Sequence, residues 1–345
     1  MRAAPALRML PVVLKREPDE RLSSWLGRLA RFYGMSTEAF LECCGLSHSD
    51  INDLEWRLGG GEGALLAARV GMAVEELRAM TFAEIAPHAR LMVARGRRYV
   101  CPLCRGGTQH KATALPWSFW CREHAIRLAA RSGRELERLP ETQLVMLDLN
   151  ARAGAVRLAN WARGRDEGLP SIPQLLDFLT TRHRRSSPPS LAEQPRLSLE
   201  ARRANHDFLT RPIARQALLV VVPEYDRVAP VLAKPVRAGL FSLAQGSLLQ
   251  NYALAVGVGR LSADPVGYSA AVLMASDEEG EERLRETLRA WPLALRRRIY
   301  ARLGRLRGAH SGSSLGVERN RPGRKRRQSQ KFRFSRSHNY APRIS

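Results

Sequence analysis

The chain has 345 residues, of which 56 are Lys or Arg and 33 are Asp or Glu, so its formal net charge is +23. Hydrophobic residues make up 44% of it, which is enough to bury a core and excludes disorder throughout. No segment approaches the ~18 consecutive apolar residues of a membrane-spanning helix, and charged residues interrupt the N-terminal stretch. We therefore expect a cytoplasmic protein of two or three domains, without a targeting segment or a membrane partner. The charge excess predicts a polyanionic partner; an anionic membrane surface is the second possibility, and nucleic acid is the partner expected here.

The first elements are predicted to be helices. Apolar residues recur at steps of three and four over residues 19–33, which predicts a helix with one buried face. That face is expected to contain Leu22, Trp25, Leu26, Leu29 and Phe32. Gly34 is expected to end the helix. A second helix is expected between Ser36 and Gly45, and a third from Ser47, which resembles a capping box with Asp50.

A short pattern occurs twice, 37 residues apart. Ala30, Gly34 and Phe40 in the first copy correspond to Ala67, Gly71 and Leu77 in the second. A small residue, a glycine and then an apolar residue at this spacing are typical of two helices joined by a tight turn. The pattern predicts a helix-turn-helix-like N-terminal domain. Two roles are open for it, contact with DNA or a helical scaffold.

Four residues have the spacing of a metal site. Cys101 and Cys104 form a Cys-x-x-Cys pair, and after 16 intervening residues Cys121 and His124 form a Cys-x-x-His pair. Three thiolates and one imidazole suit a tetrahedral Zn²⁺ with no open position for water, so we expect one structural zinc per chain. The alternatives are a redox dithiol at Cys101 and Cys104, or His110 as a ligand in place of His124.

The other two cysteines, Cys43 and Cys44, are adjacent. An odd total of five cysteines does not suit a secreted disulfide framework and favours a reducing compartment. Both residues are expected to be buried as small apolar side chains.

The rest of the chain is predicted to be helical with a break in the middle. Pro170 and Pro173 mark an element boundary before a helix over residues 174–183, and further helices are expected over residues 235–256 and 278–307. The predicted fold is mainly α. Its parts are a helical N-terminal domain (1–97), a zinc ribbon (98–140), a helical segment (141–185), a Ser/Pro-rich linker (186–198), a helical C-terminal domain (199–307) and a disordered basic tail (308–345).

The end of the chain concentrates the charge. Residues 296–345 hold 16 Lys or Arg and one acid, which is +15 of the total +23. Such cations can neutralise phosphates, and the aromatic rings among them can stack on unpaired bases. The alternative is a solubilising appendage. The candidate nucleic-acid-binding residues are Arg324, Lys325, Arg326, Arg327, Lys331 and Arg333.

The N-terminal third opens with Leu10-Pro11 and then a stretch from Pro18 to Ala30 that contains Asp19-Glu20 and Ser24-Trp25-Leu26. This opening resembles that of the TniQ family of transposon target-selection proteins. The family then carries a Cys-Pro-x-Cys, a tryptophan and a Cys-x-x-His, matched here by Cys101 to Cys104, Trp117 and Cys121 to His124. The resemblance covers roughly residues 10–128 and does not extend into the C-terminal half.

The resemblance implies a non-catalytic role in DNA transposition. TniQ-like proteins link a target-recognition element, either DNA itself or an RNA-guided complex, to an AAA+ ATPase regulator and a transposase. In agreement, the sequence has no Gly-x-x-x-x-Gly-Lys-[Ser/Thr] loop. The implied partners are double-stranded DNA, the ATPase and the transposase, and the implied location is the nucleoid. An RNA-guided complex as a further partner and a homodimer are left as open possibilities. The alternatives are a stand-alone zinc-ribbon and helix-turn-helix transcriptional regulator, and a nuclease or recombinase with dispersed carboxylates.

Overall fold

The computed structural model describes residues 8–46, 50–96, 98–104, 107–130, 141–186, 198–204, 213–229 and 236–314. Within these ranges the chain is mainly helical, as the sequence predicts, with two small two-stranded sheets. None of the described helices has both the length and the apolar character that a membrane crossing requires.

The elements follow one another as helices with a few short strands between them. The helices are α1 (Leu22–Phe32), α2 (Thr37–Cys43), α3 (Ile51–Leu54), α4 (Gly60–Val70), α5 (Val74–Ala79), α6 (Glu141–Ala162), α7 (Ile172–Thr180), α8 (Leu199–Ala204), α9 (Leu218–Val221), α10 (Pro223–Val228), α11 (Phe241–Gln245), α12 (Leu248–Ala263), α13 (Pro265–Met274), α14 (Glu278–Arg289) and α15 (Leu293–Ser314). The strands are β1 (Tyr99–Val100), β2 (Ala129–Ala130), β3 (Arg182–Ser186) and β4 (Ile213–Gln216), and 3-10 helices cover Pro87–Met92 and Lys111–Ala114.

The two copies of the sequence repeat fold as two helical hairpins, α1–α2 and α4–α5, which confirms the prediction of paired helices. Each turn contains a glycine with left-handed backbone, with φ of +67° at Gly34 and +66° at Gly71. The amides of Met35 and Met72 donate to the carbonyls of residues 30 and 67, over 2.9 and 3.3 Å. These bonds satisfy carbonyls at the helix ends, so the repeat encodes the chemistry of the turn.

Helix α1 buries four of its five predicted core residues: Leu22, Trp25, Leu26 and Leu29. The prediction for Phe32 is wrong, because this side chain is 53% exposed. Phe32 is the last residue of the helix, where it packs edge-on against Tyr33 at 5.2 Å between ring centroids.

Two further predictions in this region need correction. Helix α3 begins at Ile51 rather than at Ser47, since the Asp50 side chain accepts a hydrogen bond from the amide of Asn52 at 2.8 Å and caps the helix. Ser47 itself lies outside the described residues. Cys44 is buried as expected, but Cys43 is exposed. Adjacent residues at a helix end point about 100° apart, so one of them faces the core and the other faces solvent.

In the C-terminal half, α6 and α12 pack closely against each other. A Cβ atom added to Gly154 would lie 1.8 Å from the carbonyl oxygen of Ala255, and one added to Gly259 would lie 2.2 Å from the carbonyl oxygen of Asn150. Only glycine fits at such distances, so these two residues allow the helices to approach each other.

Several boundaries in the C-terminal half differ from the prediction. The helix expected over residues 235–256 is divided into α11 and α12, and the one expected over residues 278–307 is divided at Pro292, which cannot continue a helix. Pro173 lies in the first turn of α7, where its missing N–H costs nothing. Strands β3 and β4 pair antiparallel where helix was expected, and His183 lies in β3.

Helix α15 continues to Ser314, beyond the point where the tail was predicted to begin. The six candidate residues of the tail, Arg324, Lys325, Arg326, Arg327, Lys331 and Arg333, lie outside the described residues, as do residues 187–197 of the predicted linker and residues 131–140 of the predicted zinc ribbon.

The buried apolar residues form two clusters. The first runs from Leu22 to Met80, and the second runs from Phe82 to Leu303 and includes the cysteine segment. The sequence places a domain boundary at residue 97, whereas the two clusters separate next to Thr81. The six-part division of the chain stays a prediction.

Candidate metal centre

The four predicted ligands lie on two turns next to a small sheet. Strands β1 and β2 pair antiparallel, with Tyr99 opposite Ala130, and Cys101 follows β1 directly. The second turn is closed by an antiparallel bridge between Trp120 and Arg127 and by the amide of Cys121, which donates to the carbonyl of residue 126 at 2.8 Å. Each turn presents its pair of side chains toward the other.

Cys101, Cys104, Cys121 and His124 converge on one point. All four ligand atoms lie within 4.8 Å of one another. The Nδ1 atom of His124 is 3.7, 3.5 and 3.5 Å from the three sulfur atoms in chain order, and the sulfurs of Cys104 and Cys121 are 3.6 Å apart. The structure thus brings together the four residues that the sequence singled out.

These separations fit a tetrahedral ion. Bonds of about 2.3 Å to sulfur and about 2.0 Å to nitrogen place two sulfurs about 3.8 Å apart and a sulfur about 3.5 Å from a nitrogen. The observed distances agree to within about 0.2 Å. The cluster could therefore hold a metal ion, and its soft sulfur-rich donor set is the one that zinc prefers.

The electrostatics of the cluster also favour a cation. Burial and hydrogen bonds with Cys101 and Cys121 raise the pKa of the Cys104 thiol well above its usual value. Burial raises the pKa of Cys121 as well, but hydrogen bonds from the backbone and side chain of His124 outweigh it and lower that pKa to about 7. Thiolates this close repel one another, so a bound cation is what would let all three ionise together.

His110 does not join the cluster. Its Nδ1 atom lies 3.0 Å from the carbonyl oxygen of Pro18, and its backbone bridges to Glu20. His110 lines, with Asp19 and Cys104, a cavity of about 450 Å³ beside the cluster. The alternative in which His110 replaces His124 is therefore not supported by the geometry.

The metal segment is joined to the N-terminal hairpins through the residues that precede α1. Asp19 has left-handed backbone, with φ of 58°, and its carboxylate accepts from the amide of Ala112 at 2.9 Å and from Arg122 at 3.1 Å. The amide of Arg21 donates to the carbonyl of Gln109 at 2.9 Å. Asp19 and Arg21 therefore connect the start of α1 to the loop between the two ligand turns.

Two ion pairs lie at this connection, and each has a buried carboxylate. Arg21 and Glu55 are almost fully buried and form a bidentate pair, and the Arg21 guanidinium also donates to the carbonyl of Arg95 at 2.9 Å. Glu20, fully buried, pairs with Arg28 at 2.6 Å. These pairs were not predicted from the sequence. The only signal for them in the sequence was the presence of charged residues beside the apolar face of α1. Glu55, the partner of Arg21, is 34 residues away and could not be assigned.

A second set of contacts joins the metal segment to the C-terminal half. Arg98 donates to the carbonyls of Leu243 and Ala244, at 2.9 and 2.6 Å, and so caps the end of α11. The Tyr99 hydroxyl accepts from Asn251 at 2.8 Å, and the ring of Tyr252 packs edge-on against Phe119. The metal segment is thus held between the two halves of the described chain.

Comparison with known proteins agrees with this arrangement. The model of the TniQ family matches residues 11–128, from the approach to α1 to the end of the metal segment. Over this part of its length the chain is similar to the TniQ family. No curated protein and no solved structure matches it. The similarity to the TniQ family supports a transposition-associated role.

The helical hairpins of this TniQ region are poorly suited to reading DNA with their second helices. Helix α2 contains Glu38 and Glu42 and no basic residue, and α5 contains Glu75 and Glu76 against one arginine. Carboxylates on these helices repel phosphate. The hairpins are confirmed as structure, and their contact with DNA stays a prediction that this charge pattern does not favour.

Proposed function

We propose that the chain is a non-enzymatic adaptor of DNA transposition that links a target site on duplex DNA to an AAA+ ATPase regulator and its transposase. The observation that carries the proposal is a four-ligand metal cluster, held between the helical hairpins and the C-terminal half within the TniQ match. An adaptor must hold two binding surfaces in a fixed relation, and a metal segment bonded to both sides supplies that rigidity. Cytoplasmic action at the nucleoid follows from this role.

The ion in this role is one structural Zn²⁺ held by Cys101, Cys104, Cys121 and His124. Four protein ligands complete a tetrahedron and leave no position for a reacting water, so the site stabilises structure and does not catalyse. Elemental analysis of the purified chain should give one zinc per chain. A Cys121→Ser, His124→Ala double variant that keeps stoichiometric zinc would contradict this ligand set.

The adaptor role is tested by capture of the ATPase. We expect the zinc-loaded chain to co-purify with the AAA+ ATPase encoded in the same mobile element, and to do so without the transposase. A chain that holds zinc and binds duplex DNA but captures no such ATPase would instead favour the stand-alone regulator. Adjacent transposase and ATPase genes would support the adaptor before any protein is made.

The basic tail is proposed to add phosphate contacts without sequence preference. Residues 315–345 contain ten Lys or Arg and one acid. Each phosphate contact removed by deleting them should lower the slope of log affinity against log salt by ~0.9, while ATPase capture should persist. Equal slopes with and without these residues would show that the tail only aids solubility.

A further inference from the structure

The last described helix, α15, carries an arginine face that no other described residue neutralises. Residues 293–314 contain six arginines and no acid. Arg297, Arg298, Arg302 and Arg305 are exposed, and within the described part of the chain they have no ion pair or hydrogen bond. On the opposite side of the helix, Ile299 and Leu303 are buried and hold it against the fold.

The neighbouring helix α14 shows what paired arginines look like in the same surroundings. Its three exposed pairs are Arg283 with Glu279, Arg285 with Glu281, and Arg289 with Glu286. Arg307 of α15 also pairs with Glu281, at 2.7 Å. The arginines of α14 therefore have acids within reach, whereas the four on the outer face of α15 have none among the described residues.

The geometry of this face fits a line of phosphates. Arg298, Arg302 and Arg305 are spaced i, i+4 and i+7, so they share one side of the helix and span about 10 Å along it. Like charges at this spacing repel and destabilise an isolated helix. A polyanion bound along the helix relieves that repulsion, and the exposed residues between Arg298 and Arg305 include Tyr300, Ala301 and Gly304.

We propose that the outer face of α15 is a DNA-binding surface that lies in the major groove of B-form duplex DNA, with Arg297, Arg298, Arg302 and Arg305 on the phosphates. The major groove, about 12 Å wide, admits an α-helix. The major groove of A-form RNA is too narrow for one. This inference rests on the proposed adaptor function and assigns the folded surface that binds its target.

The test compares two triple variants of the full-length chain that remove the same charge. Arg298→Ala, Arg302→Ala, Arg305→Ala removes three unpaired arginines, and Arg283→Ala, Arg285→Ala, Arg289→Ala removes three paired ones. Affinity for a B-form DNA duplex of random sequence is measured by fluorescence anisotropy across a salt series. We expect the α15 variant to lose about 2.7 from the slope of log affinity against log salt, and the α14 variant to keep the wild-type slope.

The outcomes separate this inference from the proposed function. Equal slopes for the two variants would overturn the α15 surface while leaving the adaptor role standing. A wild-type chain that binds no duplex at low salt would overturn both. An equal loss on an A-form RNA duplex would replace DNA with RNA as the ligand. Since the three arginines are exposed, the variants should melt as the wild type does; if the triple variant does not fold, Arg302→Glu tests the same face with one change.

Discussion

The two buried clusters are built in different ways. The cluster from Leu22 to Met80 consists of short helices joined by tight turns, so its contacts are mostly local in sequence. The cluster from Phe82 to Leu303 depends on distant pairs, such as the hydrogen bond between Tyr99 and Asn251, which are 152 residues apart. It also contains the metal ligands. The first region is held by helix periodicity and turn chemistry, and the second by long-range contacts and an ion.

The largest expected effect separates the two regions by removing the metal. Cys104→Ser should abolish zinc binding and unfold the metal segment, because structural zinc supplies on the order of 10–16 kcal/mol of apparent binding energy in small domains. The hairpins should stay folded, because their buried cluster contains no residue of the metal segment. Hydrogen exchange should show lost protection near Tyr99 and retained protection in α1. Cys43→Ser, which changes an exposed cysteine, is the matched control; exchange that rises equally in both regions would show that they are one unit.

The converse experiment weakens the first region alone. Trp25 is fully buried, and its indole N–H donates to the carbonyl of Leu14 at 2.8 Å. Trp25→Ala should cost about 3–5 kcal/mol of unfolding free energy, measured by urea denaturation, without loss of zinc. Phe32→Ala, on the same helix but exposed, should change little. Loss of zinc in the Trp25 variant would contradict the separation.

The connection between the regions is tested at Arg21. Arg21→Ala leaves Glu55 buried without its partner, which typically costs about 3–5 kcal/mol. The unfolding transitions of the two regions, followed by tryptophan fluorescence and by zinc release, should then lie further apart than in the wild type. Arg283→Ala, which breaks an exposed pair, should cost less than about 1 kcal/mol. If Arg21→Ala costs no more unfolding free energy than that control, the contacts of Arg21 do not couple the two regions.

The smallest effect is a pH dependence confined to the second region. His183 is buried, and this burial lowers its pKa to about 4, helped by the charges of Arg184 and Arg215. The unfolded chain has a histidine pKa near 6.5, so between about pH 6.5 and 4 it binds a proton that the folded chain does not. Stability should be complete above pH 6.5 and fall as the pH falls through that window. His183→Asn should flatten this part of the curve; a wild-type profile that is already flat would contradict it.

The sequence predicted what depends on local patterns. The helices, the glycine turns at Gly34 and Gly71, the buried Trp25 and the four metal ligands all follow from periodicity or spacing within a few residues. The strand pair β3–β4 was missed, because the two strands are far apart in the sequence: β3 ends at Ser186 and β4 begins at Ile213. The Arg21–Glu55 pair was missed because a charge in a sequence does not reveal which distant carboxylate neutralises it. The sequence also does not reveal that the arginines of α14 are paired with acids while those on the outer face of α15 are not.

The position of the metal segment also sets an order of events while the chain is being made. The hairpin core is complete once Met80 has been synthesised, and all four ligands are present once His124 has been. Asn251 and Tyr252, which contact Tyr99 and Phe119 in the metal segment, come about 130 residues after His124. At 5–20 residues per second that interval lasts about 6–26 s. During it the metal segment lacks its C-terminal contacts, so a bound ion is what would hold the three thiols together. We therefore expect the yield of native protein to depend on zinc present during translation, far more than on zinc added after purification.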